Sequence, residues 1–321
     1  MLRSTSRGSR RSSVKKILGR AGPLAYSLAM RYEFKPVSAC NMCGSTDFRF
    51  LGMRLSASQG WTPRRAKGIA VPVKRCRACG LVFADPQPIP ESLADHYGLP
   101  PDEYWIGEAQ RHWTPAYLSD EIAEAKRLLD FTPGMKALDV GVGLGKGMRS
   151  LAAAGFDAWG IEPSPEFRDH AIAKFDVDPD RVALAAAETA EFPDGHFDFV
   201  TFGAVLEHLY DPALALDRAM RWLKPGGILH AEVPSSDYLM SRLLNLFFTL
   251  RGTNYVTNIS PMHSPFHLYE FTLRSFRKYE VAHHGYMIGV TPHLPKLLTR
   301  PVEWLMAWSR TGMQLIVYLR R

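Results

Sequence analysis

The sequence predicts an α/β fold: one sheet of mostly parallel strands with helices on both faces, preceded by a small cysteine-bearing module. Three observations predict it. A short apolar run, Ala137-Leu138-Asp139-Val140, ends near an acid and opens into Gly141, Gly143 and Gly145, which alternate into a helix start. Further strand-like runs follow at βα spacing: Trp159-Gly160-Ile161-Glu162, then Phe197 to Phe202, then Ile228 to Val233 after the helix stop and turn Leu223-Lys224-Pro225-Gly226-Gly227. Two C-x-x-C-G turns, at Cys40/Cys43 and Cys76/Cys79, stand upstream of them all.

The glycine loop carries the most chemistry. Alternating glycines remove Cβ atoms and let backbone N–H groups approach a ligand closely. Position 146 is Lys and position 148 is Met, so neither frame completes the G-x-G-x-x-G of a dinucleotide site. Glu162, at the end of the next strand, has two acceptor oxygens for a pair of ribose hydroxyls. Its plain alternative is a solvated acid in a βα loop.

Asp139-x-Gly141-x-Gly143-x-Gly145 resembles the first motif of the class I S-adenosylmethionine-dependent methyltransferases. Trp159–Glu162, the run 196–208 ending in Leu206-Glu207-His208, and 223–234 resemble later motifs in the right order. The resemblance covers about residues 118 to 321. It implies a seven-stranded Rossmann-like sheet with the last strand antiparallel, its final strands expected at Gly285–Val290 and Met313–Leu319. It also implies S-adenosylmethionine as cofactor, held by Asp139, Gly141, Gly143, Gly145, Glu162, Ala187, Glu188 and Ala204. Ala186 stands where relatives often carry an adenine-binding Asp, so adenine recognition is expected from the Ala187 N–H with Glu188 nearby.

Composition is consistent with such a protein. The 321 residues are 46% apolar, enough for a core, and the net charge is +7. That charge is uneven. Residues 1–36 hold nine Lys or Arg against Glu33 alone, while the remainder nets −1. The body therefore lacks a footprint for nucleic acid. Three readings compete for the basic head: a silent solvated tail, a contact with an anionic membrane surface, and a targeting peptide. No run of apolar residues is long enough to span a bilayer, and the protein is expected in the cytoplasm, peripheral at the inner membrane surface if the second reading holds. The apolar stretch Leu239–Leu250, with Ser241, Arg242, Asn245 and Thr249 as a polar stripe, reads as a packed helix or lid in preference to an interfacial anchor.

Each C-x-x-C turn points two sulfurs at one centre, and the following glycine lets the backbone curl round them. Cys40, Cys43, Cys76 and Cys79 thus read as a four-thiolate structural zinc site, with two disulfides as the alternative that a reducing compartment disfavours. The 32 residues between the knuckles must house an extra hairpin or loop.

The expected organisation is a basic tail at 1–36, a zinc ribbon at 37–90 ending in the stiff Asp85-Pro86-Gln87-Pro88-Ile89-Pro90, a connecting segment at 91–117, and the cofactor domain at 118–321. Tyr97, Tyr104 and Trp105 are candidates for a roof over the site. The ribbon joined to this domain, with Val205-Leu-Glu-His208 and His267-Leu-Tyr-Glu-Phe-Thr272, resembles small-molecule methyltransferases acting on sugars, polyketides and other secondary metabolites. The sugar C-methylating kind extends past the seventh strand, which the present sequence does not.

The expected activity is methyl transfer to a small metabolite or a glycan- or lipid-linked precursor, with His208 or His267 as general base and His263 as a further candidate. The competing readings are a catalytically degenerate binding protein, a nucleotide-dependent oxidoreductase, and a zinc-ribbon nucleic-acid module.

Overall fold

A computed structural model describes residues 32–56, 68–91, 112–175, 177–263, 265–290 and 295–321. Tyr97, Tyr104 and Trp105, and the basic tail up to Arg31, lie outside the described residues.

The main sheet has seven strands. They are β6 (Lys136–Val140), β7 (Asp157–Glu162), β8 (Val182–Leu184), β9 (Phe197–Gly203), β10 (Leu223–Pro234), β12 (Glu280–Met287) and β13 (Gln314–Arg320). Their order is β12-β13-β10-β9-β6-β7-β8. Strands β10, β9, β6, β7 and β8 run parallel, and β13 is antiparallel to both β10 and β12. The chain builds outward from β6 to β8 and then returns to β9 on the other side of β6. That reversal opens a crevice at the C-terminal ends of β6 and β9, where open α/β sheets bind ligands.

The central strands form because their side chains can be buried on both faces. Leu138, Val200, Phe197, Phe202, Leu229 and Ala231 are wholly buried in one cluster. Helices cover the sheet: α1 (Ser119–Leu129), α2 (Lys146–Ala153), α3 (Pro165–Phe175) and α4 (Pro212–Trp222). The N-terminus of α4 shows its local cause: Pro212 occupies the first turn and the Asp211 carboxylate accepts the Leu214 N–H at 3.0 Å.

Upstream, β1 (Tyr32–Lys35), β2 (Phe48–Leu55), β3 (Ala70–Cys76), β4 (Val82–Ala84) and β5 (Gln87–Pro90) make the small module. Two of its pairings differ from the sequence expectation. The stiff, extended segment expected at the end of the ribbon contains β5, which pairs antiparallel with β1 at the end of the expected tail. Pro88 and Pro90 lie two apart and so face the same way, which leaves Gln87 and Ile89 with donors for an edge ladder. In addition, β11 (Tyr269–Glu270), from the loop past β10, extends the module's sheet in the order β11-β4-β3-β2.

One face of the module packs its own cluster, Val71, Val73, Val82 and Ala84 with Val256, Ile259 and Met262, and the other joins the main core. Cys40, Met42, Cys76, Cys79, Leu81 and Phe83 share one buried cluster with Leu138 and Phe202 of the main sheet and with Leu206 just past β9. The last strands also sit differently from expectation: β12 begins five residues earlier than Gly285, and β13 is shifted by one residue. A register irregularity between Val281 and His283 breaks the alternation that marks a strand in sequence. The stretch expected to separate them contains α6 (Lys296–Ser309), and α5 (Leu239–Leu250) follows β10. Among the described residues, no helix is long and apolar enough to cross a membrane.

Candidate functional site

The loop after β6 is held open from below. The N–H groups of Gly141 and Val142 donate to the Ile161 carbonyl, and the Gly143 N–H donates to Glu162 Oε2 at 2.8 Å. Glu162 Oε1 accepts the Ser164 N–H at 2.9 Å. The carboxylate thus ties the glycine loop to the end of β7, and each oxygen keeps lone-pair capacity for a further donor. Burial raises its pKa, while the two N–H groups pull the other way.

The glycines divide into two kinds. A Cβ on Gly145, which has φ +92°, would lie 2.9 Å from the Ala171 Cβ, so this glycine lets α2 and α3 meet. A Cβ on Gly143 would meet nothing closer than 3.9 Å, and one on Gly203 nothing within 4 Å. Backbone at these two positions faces open space, which is the cradle a nucleoside-bearing ligand would fill.

Asp139 lies beneath that cradle. A Cβ on Gly147 would sit 2.3 Å from Asp139 Oδ2, and the carboxyl accepts the Met148 N–H at the start of α2. Burial, with Glu162 adding, pushes it up to about 8. Asp139 therefore anchors α2, and Gly147, which the motif reading passed over, makes room for it.

On the far wall, Ala204 ends β9 with φ +56°, an uncommon conformation for a residue with a Cβ, and its N–H donates to the Glu232 carbonyl at 3.1 Å. Ala187 is buried on a turn whose Ala186 carbonyl accepts the N–H groups of Thr189 and Ala190. The Glu188 carboxyl accepts backbone N–H groups of Tyr210 and Asp211, which fastens that turn to the start of α4. Two residues missed from sequence, Tyr117 and Trp113, pack against α2. Lys146 Nζ stands 4.7 Å from the centre of the Tyr117 ring, and Trp113 Nε1 donates to Ser150 Oγ at 2.8 Å. Their signal was the aromatic run of the connecting segment.

A second cluster lies just past Ala204. The Leu206–His208 turn places Glu207 wholly in the interior with neither carboxylate oxygen hydrogen-bonded. His267 Nε2 is 3.9 Å from Glu207 Oε1, and the His208 and His267 rings stand edge to face at 5.0 Å. Burial pushes Glu207 up to about 8, with the Glu232 charge adding, and holds His267 down to about 3, with His208 and His263 adding. His263 is apart from the pair: it meets Arg54 at 3.1 Å, and Arg54 also donates to the Ile259 carbonyl. That contact clamps the 257–272 loop to β2.

The Glu207 burial has a measurable consequence. The native state holds this proton more tightly than the unfolded chain, whose carboxyl titrates near the ordinary 4.5. Native stability from this group is therefore lost as pH rises from about 4.5 to 8. Glu207→Gln is expected to raise stability at pH 8 by on the order of 3 kcal/mol, with the gain vanishing near pH 4.5. Denaturant melts across that range check it; a gain independent of pH would contradict it.

The four cysteines converge. Cys40 and Cys79 sulfurs are 3.5 Å apart, Cys43 and Cys76 sulfurs 3.6 Å, and all four lie within 4.8 Å of one another without a disulfide. Sulfurs bound at about 2.3 Å in a tetrahedron are about 3.8 Å apart, so the donor set fits zinc. The knuckles are fastened to the site. Asn41 donates to Asp211 and accepts the Ala213 N–H at the start of α4, while Thr272 donates to the Cys79 carbonyl and Ser236 to the Gly80 carbonyl.

Comparison with known proteins agrees with this geometry. Residues 138–231 match the family model described as a methyltransferase domain. The chain is 30% identical over 169 residues to a ubiquinone biosynthesis O-methyltransferase of Burkholderia vietnamiensis, covering 48% of this chain and 68% of that one. It is 36% identical over 143 residues to the 2-methyl-6-phytyl-1,4-hydroquinone methyltransferase of a Synechocystis strain, covering 42% of this chain and 41% of that one. Across the first relatives matched, the chain spans 27 to 41% of their length. A S-adenosylmethionine-dependent methyltransferase structure from Methanosarcina mazei superposes with TM-score 0.44 at 17% identity, over 63% of this chain and 96% of that one. The cradle after β6 and the Burkholderia match together place the chain in the S-adenosylmethionine-dependent methyltransferase family.

Proposed function

We propose that the protein transfers the methyl group of S-adenosylmethionine to a small acceptor, free or glycan- or lipid-linked, with the Glu207–His267 pair and His208 taking the acceptor's proton. The observation that carries this is position. The open backbone at Gly143 and Gly203 and the cluster at 207, 208 and 267 stand at the same end of the sheet, either side of Ala204. The sulfonium supplies an already activated methyl group, so the chain's own tasks are alignment, exclusion of water and proton removal.

His267 is neutral at pH 7 and can accept a proton from a hydroxyl acceptor. The imidazolium then formed faces Glu207 at 3.9 Å, and as pH approaches about 8 that carboxyl ionises and stabilises it. The names of the Burkholderia and Synechocystis relatives suit such an acceptor. The unbonded cysteines suit a reducing compartment, and we place the protein in the cytoplasm. Zinc on the four thiolates is structural in this reading, since protein fills every tetrahedral position.

His267→Asn is expected to lower turnover about 10²- to 10⁴-fold while leaving S-adenosylhomocysteine affinity unchanged, with a smaller loss for His208→Asn. Glu207→Gln should flatten the rise of rate with pH below about 8. Equal activity in all three variants would remove the proton-transfer role. The three groups also have the donor set for a divalent cation. Turnover insensitive to a chelator that leaves the cysteine site loaded is the result expected here.

A further inference from the structure

Two helices turn apolar faces to solvent. In α6, Leu297, Trp304 and Trp308 are 90%, 69% and 74% exposed. At about 100° per residue, they share with Leu298, Pro301 and Leu305 one arc roughly 120° wide. Met306, wholly buried, lies on the other side of the helix. The apolar stripe of α6 therefore points away from the protein. In α5, Leu243, Leu246, Phe247 and Leu250 are likewise exposed and share an arc of about 100°, with Phe248 buried across from it. The Leu239 N–H at the start of α5 donates to the Thr311 carbonyl, two residues past the end of α6. The two helices flank the end of β10 and the start of β13, the same end of the sheet as Ala204 and Glu207.

Charge selects the occupant. Residues 239–251 and 295–310 hold Arg242, Arg251, Lys296, Arg300 and Arg310 against Glu303 alone, net +4, whereas residues 37–321 as a whole net −1. Within the cofactor domain at 118–321, everything outside the helix pair nets −7, while the small module at 37–90 nets +6. An anionic lipid surface attracts the helix pair and repels the remainder of the cofactor domain, which favours this face of that domain toward the lipid. Trp at the boundary of an apolar arc with flanking Arg is the composition that lies in a bilayer interface.

We propose that α5 and α6 form a docking surface for a bilayer containing anionic lipids, which turns the open end of the sheet toward the membrane. This goes beyond the methyl-transfer reading and stands or falls separately from it.

The test is flotation of the full chain with phosphatidylcholine vesicles, with and without phosphatidylglycerol. The wild type should float with the anionic vesicles, and brominated lipid should quench its Trp emission. Trp304→Ser/Trp308→Ser should weaken partitioning at least about tenfold and remove most of the quenching, and Arg300→Glu should weaken it several-fold. Unchanged S-adenosylhomocysteine affinity shows that the variants are folded. Three results would overturn the proposal. One is no flotation of the wild type. Another is flotation abolished by deleting residues 2–20 but untouched by the double substitution. The third is a wild-type dimer that the double substitution splits without altering vesicle binding, which would assign the face to a second copy.

Discussion

If the four thiolates hold zinc as proposed, Cys79→Ser is expected to abolish that site and to loosen the loop that carries His267. The cause is connectivity. Cys79 is wholly buried in the cluster it shares with Phe271 and Leu268, and its carbonyl accepts the Thr272 hydroxyl. Thr272 in turn caps the Leu273–Phe276 turn together with Ser275. One residue on, the Gly80 carbonyl holds Ser236 at the end of β10. Loss of one of four thiolates leaves three sulfurs crowded within 4.8 Å without a full tetrahedron. The second knuckle then has no fixed geometry to present to Thr272. A destabilisation of at least about 3 kcal/mol is expected, with zinc falling well below one equivalent. Hydrogen exchange should quicken at 257–276 as well as at 37–84. Metal analysis and exchange measurements check both. Full zinc content with unchanged exchange in the loop would contradict the account.

The second large effect separates two glycines of the same motif. At Gly143 a side chain would enter the open cradle, whereas at Gly145 it would enter the contact between α2 and α3. Both have positive φ, +53° and +92°, so each substitution carries a backbone cost of about 1–2 kcal/mol. Gly143→Val should therefore keep the protein folded and lose S-adenosylhomocysteine binding by at least about a hundredfold, since the ligand's place is filled. Gly145→Val should lose several kcal/mol of stability through overpacking against Ala171. Calorimetric titration and thermal melts of the pair read the two effects separately. Equal loss of binding at equal stability in both would mean that the loop acts only through its rigidity.

The parallel half of the sheet was legible because its signals are local. A strand buried on both faces is a mostly apolar run, and 197–202, with four of six residues apolar, shows one between turn residues. The glycine loop was legible for the same reason. What lay outside the reading depends on partners distant in sequence. Pairing of 32–35 with 87–90, and of 269–270 with 82–83, joins segments that carry no mark of each other. Read alone, Asp85 to Pro90 shows three prolines and looks unpaired.

The site divides similarly. The motif names Asp139, yet only the structure shows that its carboxyl serves α2. Leu206-Glu207-His208 drew attention to the histidine. The glutamate between them is wholly buried, and that depends on the loop 257–272 folding over it with the Leu268 N–H on the Glu207 carbonyl. The exposed faces of α5 and α6 invert the usual rule that an apolar stripe points inward, and by that rule Leu239–Leu250 read as a packed helix or lid.

The central claim is that the cradle between Gly143, Glu162 and Ala204 binds an S-adenosyl ligand. Its most direct test is calorimetric titration of the zinc-loaded protein with S-adenosylhomocysteine, beside Glu162→Ala. That substitution removes both ribose acceptors and the tie to the Gly143 N–H. The account predicts one site per chain, weakened by about 10²-fold or more in the variant. A folded, zinc-loaded wild type that gives no binding heat and shows no ligand-induced rise in melting temperature would contradict it.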